Sequence, residues 1–256
     1  MDARENDNFL ELETPRGRRI KVLSRVHPLA RRMSLTMSVR GPRLSTPRGT
    51  PQSEARAFLR ENADWLELKL REMERQGVRL APPVPGVPDT FNWRGELVLV
   101  RWEHGVFPRV RIEDNQATIA LDLDHADVDA ISRRAMRGFI VAQMKREVAR
   151  MTRLYEPLVG REVLSTRLLP MNSLWGSLSV QGRMTLDLSL MLAPSYVLEY
   201  VIAHEMSHLW IRNHGRRFWE RVGAVFPQYD EMRVWLSRNG HAVKAELARW
   251  IGNELP

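Results

Sequence analysis

The residues with the clearest chemistry lie in Tyr200-Val201-Ile202-Ala203-His204-Glu205-Met206-Ser207-His208-Leu209. His204 and His208 are four apart, so on an α-helix their side chains differ by about 40° and point the same way. Two imidazoles so placed both reach one zinc ion. Glu205, about 100° further round, stands near that ion without having to bind it. Three protein ligands and a water form the open arrangement of catalytic zinc. The chemistry expected is metal-assisted hydrolysis. The ion lowers the pKa of its bound water toward about 7, and Glu205 takes the proton and passes it to the leaving group.

A third ligand has to come from nearby. His214 follows His208 by six residues in Asn213-His214-Gly215, where Asn and Gly end a helix and let the chain turn back. The metzincin pattern places a Gly three residues after its second His. Ile211 stands there, so that pattern is not met. A downstream carboxylate is the other solution, with Glu220 and Glu231 available, although Glu220 reads more simply as an exposed helix residue. His27, His104, His125 and His241 have no comparable company and read as surface or loop histidines. An oxyanion partner is also needed. Arg216, Arg217 and Tyr229 are candidates by nearness in sequence, each with a plainer reading as surface or packing.

The helix that must carry the motif spans about 195–213 after Pro194, with Val197, Leu198, Val201, Ile202 and Leu209 as its buried side. Around it, strands are expected over 162–169 and 184–190, and two or three shorter helices follow. A long amphipathic helix is expected over 126–157, ending before Gly160. Earlier, strands are expected at 19–23, 33–39, 96–102, 109–112 and 117–123. Turns are expected at Gly41-Pro42, at Pro47-Arg48-Gly49, at His104-Gly105 and at Asp114-Asn115. One helical stretch starts at Ser53 and stops at Gly77, and the four prolines of 81–88 read as an extended connector. No internal repeat is visible.

Strands come early and helices late, which argues for an α+β fold. The division expected is an acidic, disordered tail over 1–13, a basic, sheet-rich part over 14–123 and a hydrolase core over 124–256. The proline-rich connector and Asp124 are the two candidate seams.

Composition excludes several classes. The 256 residues are 43% hydrophobic and 27% charged, as in an ordinary globular protein. With no Cys, there is no disulfide, thiolate zinc site, Fe–S cluster or Cys nucleophile. The polar, acidic start is unlike a signal peptide, and no apolar run is long enough for a membrane span, so a cytoplasmic protein is expected. The net charge of +8 is unevenly placed. Residues 1–13 carry −4, residues 14–60 carry +11 from twelve basic groups against Glu54, and the rest carries +1. Such a block attracts phosphates, with nucleic acid as one partner. Its plainer reading is a solvated sheet face, since it holds almost no aromatic residue for base stacking.

These residues resemble the YgjP-like zinc metallopeptidases, a family of metal-dependent hydrolases related more distantly to SprT-type proteases. The resemblance spans about 21–239. It rests on Trp175-Gly176-Ser177, the stretch from Gly182 to Leu186, Leu192-Ala193-Pro194, the His204 helix, Asn213-His214, Phe218-Trp219 and Pro227-Gln228-Tyr229. It implies His204, His208 and His214 as ligands of one zinc per chain and Glu205 as the catalytic carboxylate. It also implies a zincin-like core behind a small sheet with a basic hairpin. Trp175 and Ser177 would border the cleft, although Trp175 also reads as a core anchor.

The chain departs from the family where a basic run usually precedes Trp-Gly-Ser-Cys. Here the stretch is Pro170-Met171-Asn172-Ser173-Leu174 before Trp175, with Leu178 for the Cys and Asp187 for a usual Asn. The leading expectation is a peptidase-type zinc hydrolase. Cleavage of a nucleoside triphosphate to monophosphate and pyrophosphate, an activity the resemblance also implies, is the rival, which the Arg-rich N-terminal segment favours and the lost basic residues weaken. A nucleic-acid-associated, SprT-like protein or structural zinc binder is the third.

Overall fold

The computed structural model describes residues 8–38, 41–75, 78–79 and 81–252. Asp2, Arg4, Glu5, Asp7, Val39, Arg40 and Gly77 lie outside them. Two compact units divide between Leu80 and Ala81, at the head of the proline-rich connector. The seam expected at Asp124 is not a division between units. Ala117, Ile119 and Leu121 before it share one core with Met136, Ile140 and Met144 after it.

The first unit runs β1 (Asn8–Glu13), β2 (Arg19–Val26), β3 (Ser34–Ser38), β4 (Gly41–Thr46), α1 (Gln52–Glu61) and α2 (Ala63–Arg75). Its sheet has the order β1-β2-β4-β3, with β2 and β4 parallel and the other pairs antiparallel. Leu10, Leu12, Ile20, Val22 and Leu44 pack with Leu59, Leu66 and Leu70 of the helices.

Three expectations change here. The acidic tail is a strand from Asn8 on, because its alternation buries Leu10 and Leu12 and turns Phe9 and Glu11 outward. Gly41-Pro42 opens β4 instead of making a turn, with Pro42 opposite Met37. The helical stretch is two helices. The backbone of Asn62 leaves helical geometry, with φ −103° and ψ 15°, and its side-chain amide bonds the Phe58 carbonyl at 2.8 Å.

The second unit begins with β5 (Asp89–Trp93), β6 (Glu96–His104), β7 (Arg109–Glu113) and β8 (Gln116–Leu121). Their order is β5-β6-β8-β7, with β6 and β8 parallel. This repeats the strand order and directions of the first sheet. The repeat is invisible in sequence because a strand only requires apolar residues at alternate positions. The turn at Asp114-Asn115 is where the sequence places it, with φ of 48° and 57°.

Next comes α3 (Val128–Val159), which buries Met136, Ile140, Met144, Val148, Met151, Tyr155 and Val159 along one side. A three-stranded sheet follows from β9 (Ser165–Leu169), β10 (Gly176–Leu178) and β11 (Arg183–Asp187), ordered β10-β11-β9. The strand expected to run to residue 190 stops at Asp187. Its carboxylate accepts the Ser189 amide at 2.8 Å and starts a single 3-10 turn over Leu188–Met191.

Then come α4 (Ser195–Ser207), α5 (Arg216–Val225) and the 23-residue α6 (Tyr229–Ile251). α4 is shorter than expected because its end tightens. The amides of His208, Leu209 and Trp210 each bond the carbonyl three residues back. The architecture is α+β, with sheets early and helices late. Among the described residues no helix is long and apolar enough to cross a membrane.

Candidate metal centre

α4 enters the second unit's core through Val197, Leu198, Val201, Ile202, Ala203 and Met206. That packing fixes the helix and with it the directions of His204 and His208. The tightened turn then releases the chain, and His214 returns to the same place. One ring nitrogen from each of His204, His208 and His214 lies within 4.8 Å of the others. His204 Nε2 and His214 Nε2 are 3.2 Å apart.

The ring of Phe218, fully buried in α5, lies under all three. Its centroid is 4.4 Å from His208, 4.9 Å from His204 and 4.8 Å from His214. His208 Nδ1 donates to the Ile211 carbonyl at 2.9 Å, which leaves the lone pair on Nε2. Burial and the neighbouring His208 and His214 push His204 down to about 3, so its ring is neutral.

Glu205 is 5% exposed. Burial pushes its carboxyl up to about 8. A Cβ built on Gly176 would stand 2.6 Å from Glu205 Oε1, so the β10 backbone touches the carboxylate. Trp175, Ser177, Tyr200 and Arg212 join the three histidines and Glu205 around a cavity of about 410 Å³. The Tyr200 hydroxyl lies 3.4 Å from His204 Nδ1, and burial pushes it up to about 12.

The donor set fits a metal ion. Two imidazole nitrogens 3.2 Å apart need a proton or a cation between them. A set of three imidazoles suits zinc among the common divalent ions.

Trp175 and Ser177 line the cavity, and Trp175 also packs against the core. Arg216 and Tyr229 do not line it. Arg216 begins α5 and reaches along it to Glu220 at 3.5 Å, exposed to solvent. Tyr229 begins α6 and stacks on Trp219, with ring centroids 5.4 Å apart. Arg217 is exposed as well. Glu220 and Glu231 are outside the ligand cluster. Arg212 is a wall residue that sequence reasoning missed. It lies in the loop between His208 and His214, where no periodicity marks it, and it bonds the carbonyls of Leu178 and Ser179 at 3.0 and 3.1 Å. His104, read from sequence as isolated, lies beside Asp122 and Asp124, all three exposed.

Compared with curated proteins, the chain matches none significantly. Among solved structures it is similar to the metallopeptidase zymogen of Pyrococcus abyssi abylysin. That match has 22% identity and a TM-score of 0.34, and it covers 37% of this chain and 96% of that one. The sequence profile of the YgjP-like metallopeptidase domain matches residues 31–239, which include all three histidines and Glu205. A match over that much of its length places the chain in the YgjP-like metallopeptidase family.

Proposed function

We propose that the protein is a zinc-dependent peptidase in which His204, His208 and His214 hold one zinc ion and Glu205 is the general base. The observation that carries this reading is the convergence of three imidazole nitrogens beside a buried carboxyl in one cavity. A zinc ion bound there supplies Lewis acidity, polarising a scissile carbonyl and acidifying a water.

The chain's own residues do the rest. The Ile211 carbonyl and the Phe218 ring hold His208 in the tautomer and orientation that present Nε2. Glu205, buried beside the three histidines in the cavity wall, accepts a proton from water at its carboxylate and returns it to the leaving amine. β10 is an edge strand of its sheet and lines the cavity, so an extended peptide backbone can lie alongside it.

A nucleotide substrate fits less well. Of the residues lining the cavity, Arg212 alone carries a permanent positive charge, and two of its nitrogens are held by carbonyls. Basic groups collect instead in the first unit. On the open sheet face Arg19 and Lys21 stand opposite Glu13 and Glu11. Further exposed basic groups are Arg43 on β4, Arg56 and Arg60 on α1 and the loop residues Arg16, Arg31, Arg32 and Arg48. This reading makes that surface a contact for nucleic-acid phosphates.

The test is zinc content and turnover of fluorescein-labelled casein. About one zinc per chain, lost in His204→Ala, with turnover abolished in Glu205→Gln at unchanged zinc, is expected. A protein that holds no zinc after purification under zinc-replete conditions overturns the metal site. A zinc-loaded protein whose Glu205→Gln variant cleaves as well as the parent overturns the role of Glu205.

A further inference from the structure

We infer that Lys244 and Asp187 form a positioning device for this cavity: their buried ion pair fixes the chain at Trp175 so that Gly176 is held against the Glu205 carboxylate. The inference rests on the cavity being the hydrolytic site.

Lys244 sits on α6, and its side chain is 8% exposed, against 1% for Asp187 at the end of β11. An ammonium has three donors. Three oxygens accept from Lys244 Nζ: the Met171 carbonyl at 2.9 Å, the Leu174 carbonyl at 3.0 Å and Asp187 Oδ2. Asp187 in turn accepts the Met171 amide at 3.2 Å and the Ser189 amide at 2.8 Å. The stretch 171–174 is itself neither strand nor helix, and this knot holds both of its ends.

The same knot fixes Trp175. Its ring lies 4.0 Å from Lys244 Nζ, a cation–π contact. A Cβ built on Gly240 would stand 2.4 Å from Trp175 Cζ2, so the ring rests on the α6 backbone. The Trp175 carbonyl accepts the Asp187 amide at 2.9 Å. The next residue, Gly176, is the one whose backbone touches Glu205. A continuous series of contacts thus runs from α6 through Trp175 to the carboxylate.

Stability alone does not explain the pair. A buried ion pair is often no more stabilising than apolar residues of the same volume, so its distinctive contribution is geometric. The segment it holds, including Ser173, Leu174 and Trp175, is a wall of the cavity.

The experiment compares the zinc-loaded parent with Lys244→Met, Asp187→Asn/Lys244→Met and Gly240→Ala. The readouts are zinc content, melting temperature, amide hydrogen exchange over 171–178 and casein turnover. Lys244→Met is expected to keep one zinc per chain, to exchange those amides at least about tenfold faster and to lose at least about tenfold in kcat with KM little changed. The double variant, with no buried charge left unpaired, regains melting temperature but not kcat. Gly240→Ala, with both charges intact, loses kcat by displacing Trp175.

Parental exchange and parental kcat in Lys244→Met overturn the inference, as does a double variant in which kcat returns with stability. Full kcat in Gly240→Ala overturns the route through Trp175. If the parent binds zinc and leaves casein uncut, the peptidase reading fails separately, and the exchange data still decide whether the ion pair holds the wall.

Discussion

His204 and His214 are ten residues apart in the chain, yet their Nε2 atoms lie 3.2 Å from each other. At that distance the two nitrogens share either a proton or a cation, and a bound zinc ion would take the proton's place. Replacing either histidine by Ala is therefore expected to lower zinc affinity by at least about 100-fold. Zinc titration against a chromophoric chelator measures this. Parental affinity in His214→Ala would remove His214 from the ligand set.

Glu205 gives the metal-free protein a pH signature. Its carboxyl titrates near 4.5 when unfolded and is pushed up to about 8 in the fold by burial. Between those values the folded state holds a proton that the unfolded state has released. Stability contributed below pH 4.5 is thus lost as pH rises through 8. Glu205→Gln removes the loss. The metal-free variant is expected to exceed the metal-free parent at pH 8 by on the order of a few kcal/mol relative to their difference at pH 4.5. Denaturant titrations at the two pH values measure it, and a difference independent of pH contradicts it.

Much of this centre was legible in the sequence because it depends on local period. The four-residue spacing of His204 and His208 is set by helix geometry, and Asn213-Gly215 marks the chain reversal that brings back His214. The walls were not legible. Lys244 meets Asp187 across 57 residues, and no local pattern records such a contact. Arg216 and Tyr229 were drawn in by nearness along the chain, whereas helix direction sends Arg216 to Glu220 and Tyr229 to Trp219. The α+β order was readable from strand and helix periods. β1, β4, β5 and β10 were missed, and the repeated sheet order with them, because strand pairing is non-local.

Phe218 supports all three imidazoles from below, and it is fully buried. Phe218→Ala is expected to cost about 3–5 kcal/mol of stability. Phe218→Leu keeps most of the volume, so it separates packing from metal support. Its zinc affinity is expected to fall about 10–100-fold, since the rings lose the surface that orients them. A Leu variant with parental affinity would show that α4 and the Ile211 carbonyl orient the ligands without the ring.

Gly176 offers a test at the carboxylate itself. A methyl there would stand 2.6 Å from Glu205 Oε1, inside any normal contact distance. Gly176→Ala must move the carboxylate or β10, at a cost of about 1–3 kcal/mol. Zinc content is expected to stay at one per chain while casein turnover falls. Undiminished turnover would show that the carboxylate tolerates displacement and that its contact with β10 does not matter to the reaction.

The basic first unit makes a prediction that depends on salt. Arg31 and Arg32 are exposed in the loop between β2 and β3, and no acidic residue occurs between Thr14 and Ser53. If both arginines contact phosphates, neutralising them removes two released counterions per bound site. The slope of log affinity against log salt for duplex DNA should then fall in magnitude by about 1.8. Casein turnover in the Arg31→Ser/Arg32→Ser variant is expected to be unchanged, since neither residue lines the metal cavity. Fluorescence anisotropy with a labelled duplex at several salt concentrations measures the slope. Equal slopes for parent and variant would mean that these arginines are a solvated surface and that any nucleic-acid contact lies elsewhere.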